Sequence, residues 1–309
     1  MRIGVYLALG GALVLCLLAR RSAHRLSPGM AALTLTGSAV LAAAMWVWNL
    51  GLLAGTLIGR LDYVARMGHW SGHALAVHDP VPVAAAVLAA LLIAAAAVGL
   101  AECSQRVGRE LWRIWSAARA CPVTTADRLV VVDDPAVRAV AVPGVHGRVL
   151  VTTGMVRALS ADERKVLLAH ERAHLRYRHG EIRLATRLAA AVMPLVRPLV
   201  KDCDYQLERC ADEAAARSVG DRGLTAQALA RAALAGRPRT LRGVPAAVPG
   251  FAERSVTSRV QALLAEPTDD QLWRLAGPVT VLAITATLSI EAGRDLEALF
   301  ELAMRVWTG

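Results

Sequence analysis

The sequence is poor in aromatic residues: Phe, Tyr and Trp fill only 4% of its 309 positions. Lysine is scarcer still. Lys165 and Lys201 are the only two, so arginine carries the net charge of +10. A basic balance can serve nucleic acid, but no basic stripe interleaved with aromatics is present, and direct nucleic-acid binding is not expected. No two of the five cysteines (Cys16, Cys103, Cys121, Cys203, Cys210) have C-x-x-C spacing. An odd, scattered set excludes a disulfide framework. Charge is missing altogether from Met30 to Gly59.

What remains is apolar. Hydrophobic residues make up 55% of the chain and the mean hydropathy is +0.43, which points to a membrane protein built of Ala, Leu and Val. Residues 3–19 form a first apolar run. Arg20 and Arg21 follow it, where a signal peptide would carry its cleavage site, so the run reads as a transmembrane helix. Residues 30–59 and 81–101 are two further spans, each long enough for a ~30 Å hydrocarbon layer. A fourth run, 275–290, is short for a span, and an amphipathic helix lying on the outer face is expected after it. Arginines at 20, 21 and 25 and at 106, 109, 113 and 119 put the first loop and the segment after the third span on the cytoplasmic side. The expected fold class is therefore an α-helical integral membrane protein with about four transmembrane helices and a cytoplasmic α+β domain. The expected divisions are a membrane region at 1–105, a soluble domain at 106–270, and the fourth span with its tail at 271–309. Both termini fall outside the cell in this scheme, and the lipid bilayer is a partner.

The chemistry concentrates between Ser160 and Asp212. Ser160 and Glu163 have the S-x-x-E spacing of a capping box, which predicts a helix from Ala161, with Gly180 as its stop. Val166, Leu167, His170 and His174 fall on one face of that helix. His170-Glu171-Arg172-Ala173-His174 is H-E-x-x-H. Imidazoles at i and i+4 reach one metal ion together, and the glutamate beside the first serves as general base. Zn2+ suits nitrogen and carboxylate donors, and a catalytic zinc needs a third protein ligand. A second predicted helix, starting near Asp202 or Asp204 and ending before Gly220, carries Glu208 and Asp212 four apart. Glu208 is the expected third ligand, and Asp212 is placed to orient a ligand imidazole. The longer H-E-x-x-H-x-x-G-x-x-H pattern is excluded, because Tyr177 and Gly180 stand where its Gly and His would be. His69 and His73 are also four apart, but no third ligand at a fixed spacing accompanies them.

From Val142 to Asp212, the run P-G-V-H-G-R-V-L-V-T-T-G-M-V-R-A-L-S-A-D-E-R-K-V-L-L-A-H-E-R-A-H and the later L-E-R-C-A-D-E-A resemble the BlaR/MecR-type membrane zinc metallopeptidases. These are gluzincins known as antirepressors. The resemblance implies His170, His174 and Glu208 as zinc ligands, Glu171 as catalytic base, and a protein substrate such as a BlaI/MecI-type transcriptional repressor. Three short β-branched runs, 129–132, 137–142 and 148–152, predict a small antiparallel sheet. By the same resemblance its edge strand, Arg148, Val149, Leu150, Val151 and Thr152, pairs with the substrate backbone. The family's β-lactam sensor would follow the fourth span. Only about twenty residues follow it here, so direct penicillin sensing is not expected. Two rival readings are a membrane quality-control or processing protease of the HtpX/CaaX kind and a non-catalytic transducer stabilised by zinc. Residues 181–200 are expected as a helix at the membrane surface, and the Pro/Gly-rich 236–250 as a flexible lid or partner-contact segment.

Overall fold

The computed structural model describes residues 2–120, 129–142, 147–236, 249–266 and 270–308. The charge-free runs become helices. α1 (Arg2–Ala23) turns through Ser27 into α2 (Pro28–Gly59). Two short helices, α3 (Asp62–Gly68) and α4 (Gly72–His78), join α2 to α5 (Val83–Ala120). After the sheet come α6 (Thr153–Ala158), α7 (Ala161–Arg176), α8 (His179–Val192), α9 (Arg197–Val219), α10 (Arg222–Ala235), α11 (Pro249–Leu264) and α12 (Ala276–Thr308). Among the described residues, four helical segments are long and apolar enough to cross a membrane: Ile3–Ala23, Pro28–Gly59, Val83–Arg113 and Leu272–Trp307. Their outer faces leave Leu17, Leu88, Leu91 and Ile284 more than half exposed, as suits contact with lipid.

The fourth span and the tail form one helix rather than two. α12 runs unbroken to Thr308, and its second half packs on α3–α4 instead of lying free on a surface. Trp70 meets Phe300 edge-on at 5.0 Å, and the Ser71 N–H donates to the Ala303 carbonyl at 3.0 Å. Arg60 and Asp79, paired at 2.5 Å with the Asp79 carboxylate fully buried, fasten the ends of this cap together.

The three strands have the expected extents at β1 (Leu129–Val132) and β3 (Arg148–Thr152), and β2 spans Ala139–Val142. The expected antiparallel order is corrected. The sheet is mixed, in order β1-β3-β2, with β1 parallel and β2 antiparallel to β3. Spacing along the chain shows where strands begin and end, but not which one lies between the others.

A second correction concerns 181–200, which is not one helix. α8 and α9 form a hairpin that packs along α2. Ala189, Ala190, Met193, Val196, Leu199, Cys203 and Leu207 share one core with Ala12 and Leu15 of α1 and Leu35, Ala39 and Ala42 of α2. Thr36 and Thr186 meet at 2.8 Å inside it. α2 has 32 residues, about 48 Å at 1.5 Å each, well beyond the ~30 Å of hydrocarbon. Its surplus length provides the wall that the hairpin covers. Pro194 and Pro198, which break the helical ladder, fall at the tip and in the first turn of α9, where an amide without a partner costs least. The expected lid at 236–250 lies, from 237 to 248, outside the described residues, as does the Pro143–His146 connection.

Candidate metal centre

α7 is held at its start by the capping box. Ser160 Oγ accepts from the Glu163 N–H, and a Glu163 carboxylate oxygen accepts from the Ser160 N–H at 2.8 Å. The helix ends at Arg176, earlier than Gly180. Tyr177 caps it and Arg178 makes the turn in the left-handed region, at φ 55°. That turn folds His179 back against His174. α9 ends as expected, with Gly220 at φ 77°.

α7 and α9 pack side by side through Val166, Ala169 and Ala215, which brings their polar faces together. His170 Nε2 lies 3.2 Å from His174 Nε2. The Glu208 carboxylate oxygens lie 3.6 Å from His170 Nε2 and 3.7 Å from His174 Nε2. Ligands at about 2.0–2.1 Å around a tetrahedral zinc stand about 3.3 Å from one another, so this donor triangle fits the ion. Among the described residues it is the one grouping of three His, Cys, Asp or Glu close enough to share a metal.

The outward nitrogens are held as well. Asp212 Oδ1 is 3.0 Å from His170 Nδ1, and His179 Nδ1 is 2.8 Å from His174 Nδ1. For each Nε2 to offer its lone pair inward, each Nδ1 must carry the proton, and these two neighbours accept it. Glu171 points into the same cleft, 9% exposed, and burial raises its pKa above the usual carboxylate range.

Three contributors were missed by sequence reasoning. His179 lies five residues past His174, off any helical repeat, and is 1% exposed. Arg183 donates to Asp204 at 2.8 Å and to Glu208 at 3.1 Å and lines the cleft. Arg259, on α11, grips Asp212 with two bonds of 2.7 Å and comes within 3.3 Å of Glu208. No local spacing signals Arg259, because its partners lie about fifty residues away in the chain.

The cleft, about 450 Å³, is walled on one side by Ala139, Val140 and Ala141 of β2. The expected role of Arg148–Thr152 as the open edge is therefore corrected. β3 has a neighbour on both sides, and the edge strand lining the cleft is β2. The Thr152 N–H donates to the Arg138 carbonyl, so residues of that parity turn inward to β3. The main-chain groups of Ala139 and Ala141 then face outward.

In the metal-free site His170 carries a proton at neutral pH. Burial opposes its charge, but the Asp212 and Glu208 carboxylates outweigh that and raise its pKa to about 9. Burial, aided by the charges of His170 and His179, lowers His174 to about 3. A metal must displace the His170 proton, and that proton binds less readily as pH rises. Apparent zinc affinity is thus expected to strengthen about tenfold per pH unit from neutrality toward pH 9 and then level off. Competition titrations against a chromogenic chelator measure this, and a flat profile would contradict it.

Residues 103–198 match Peptidase family M48, which supports a zinc metallopeptidase of that type. The matched segment holds H-E-x-x-H and stops short of Glu208, so the third donor is identified by geometry. No curated protein and no solved structure matches the chain.

Proposed function

We propose that this protein is a multi-pass membrane zinc endopeptidase that cuts a protein substrate at the cytoplasmic face, in regulated proteolysis such as inactivation of a BlaI/MecI-type repressor. The observation that carries the reading is the meeting of His170, His174 and Glu208 around one point, with Glu171 beside them and an open strand edge across the cleft. His170, His174 and Glu208 would hold zinc. Bound there, the ion supplies Lewis-acid polarisation of the scissile carbonyl and a lowered pKa for the attacking water. The substrate backbone adds to β2 as an antiparallel strand, using the outward N–H and C=O groups of Ala139 and the C=O of Ala141, whose N–H is held by Glu171. Glu171 removes a proton from the attacking water and passes it to the leaving amine. Arg183, half-buried at the cleft wall, is placed to steady the negative charge that develops. The arginine-rich first loop and the start of the segment after the third span support the cytoplasmic side.

A second reading, a membrane quality-control or processing protease, draws support from the α8–α9 hairpin. It sets the cleft beside the membrane helices, where a bilayer-held substrate would present itself. Proteoliposomes test both. Chelation is expected to abolish cleavage and one zinc equivalent to restore it. A soluble winged-helix repressor cut in preference to membrane proteins supports the first reading, and the opposite preference supports the second. Cleavage indifferent to chelator would overturn both.

A further inference from the structure

A second hollow, of about 340 Å³, lies across α8 and α9 from the metal cleft and shares no lining residue with it. Its apolar walls come from Ala32 and Leu33 of α2, Ile182 of α8 and Leu207 of α9. Its charged lining is Arg209, Arg217 and Glu213. Glu213 is already engaged by Arg222 through bonds of 2.5 and 3.0 Å, so the hollow is left positive. The Arg209 Nε is buried and has no hydrogen-bond partner among the described residues. A buried guanidinium nitrogen without an acceptor is costly, and an acceptor supplied from outside the chain would remove that cost.

We propose that this hollow binds one anionic phospholipid of the surrounding bilayer. Three observations choose a lipid. The hollow opens at the first turn of α2, a membrane-spanning helix. Leu33, 55% exposed, continues its apolar wall onto the outer flank of that helix, giving an acyl chain an unbroken path from bilayer to hollow. Arg20 and Arg21, in the last turn of α1, mark the same end of the bundle as a headgroup level. A phosphate oxygen accepts from the Arg209 Nε–H, Arg217 adds charge, and the chains lie against Leu33, Ile182 and Leu207.

The test uses the full chain in phosphatidylcholine nanodiscs with and without phosphatidylglycerol, read by native mass spectrometry and independent of any peptidase activity. One phosphatidylglycerol is expected to stay bound where phosphatidylcholine does not. R209Q/R217Q is expected to weaken retention about thirtyfold, at roughly the membrane-surface worth of two arginines. Leu33→Trp, at an exposed position that tolerates bulk, is expected to block retention with the charges intact. The proposal is overturned if both lipids are held equally, if the double variant binds as the parent does, or if a peptide occupies the hollow. It is also overturned if inorganic phosphate displaces the lipid at equal concentration, because the site would then read phosphate alone.

Discussion

Glu171→Gln is expected to lower kcat by about 10²–10⁴-fold, the usual worth of a positioned general base. Zinc content should stay unchanged, because Glu171 is outside the donor triangle of His170, His174 and Glu208. The substitution keeps the shape of the side chain and removes only its ability to take a proton. Its environment suits that work. Burial raises the Glu171 pKa, while His170 and the Ala141 backbone amide pull it back, so the carboxylate is neither inert nor fully quenched. The measurement is single-turnover cleavage on zinc-loaded protein, with metal content determined on the same sample. Parental kcat in the variant would remove Glu171 from the mechanism.

Arg259→Met is expected to destabilise the metal-free protein by about 3 kcal/mol, the low end for breaking a buried ion pair, because Asp212 keeps His170 as a second partner. Asp212 is 5% exposed at its side chain and Arg259 10%, so water screens neither. Burial alone would raise the Asp212 pKa, but the Arg259 guanidinium and His170 together hold it below the ordinary carboxylate range. Removing Arg259 leaves Asp212 with His170 as its ionic partner, and also takes a cation from Glu208. Arg259→Lys should recover only part of the loss, since a point charge does not reproduce two bonds to one carboxylate. Thermal denaturation in detergent micelles reads both variants. Equal stability of Arg259→Met and the parent would show that the pair contributes nothing net.

The contrast between these two residues shows what the amino-acid order made legible. Glu171 announces itself, because a helix places i and i+4 together wherever it lies, and the Ser160–Glu163 cap fixes where this helix starts. Glu208 and Asp212 were readable for the same reason, as neighbours on a second helix. The four apolar runs were legible from length and charge alone. Arg259 sits on a helix that was not foreseen, and its contact depends on how α11 folds over α9, which no periodicity records. Strand order failed on similar grounds. β-branched runs identify β1 and β3, yet a parallel β1–β3 pair that puts Arg148–Thr152 in the middle is decided by tertiary packing. Within 181–200, Pro194 and Pro198 are where a single helix gives way to a hairpin, but the covering of its apolar side by α2 is a tertiary contact that no local pattern records.

That hairpin ties the chemistry to the lipid phase. Glu208 rides on the helix whose Leu199, Cys203 and Leu207 lean on α2, so the donor triangle has a transmembrane rod as its foundation. A truncated chain beginning after α5 would keep every motif residue and lose that foundation, baring a greasy seam to water.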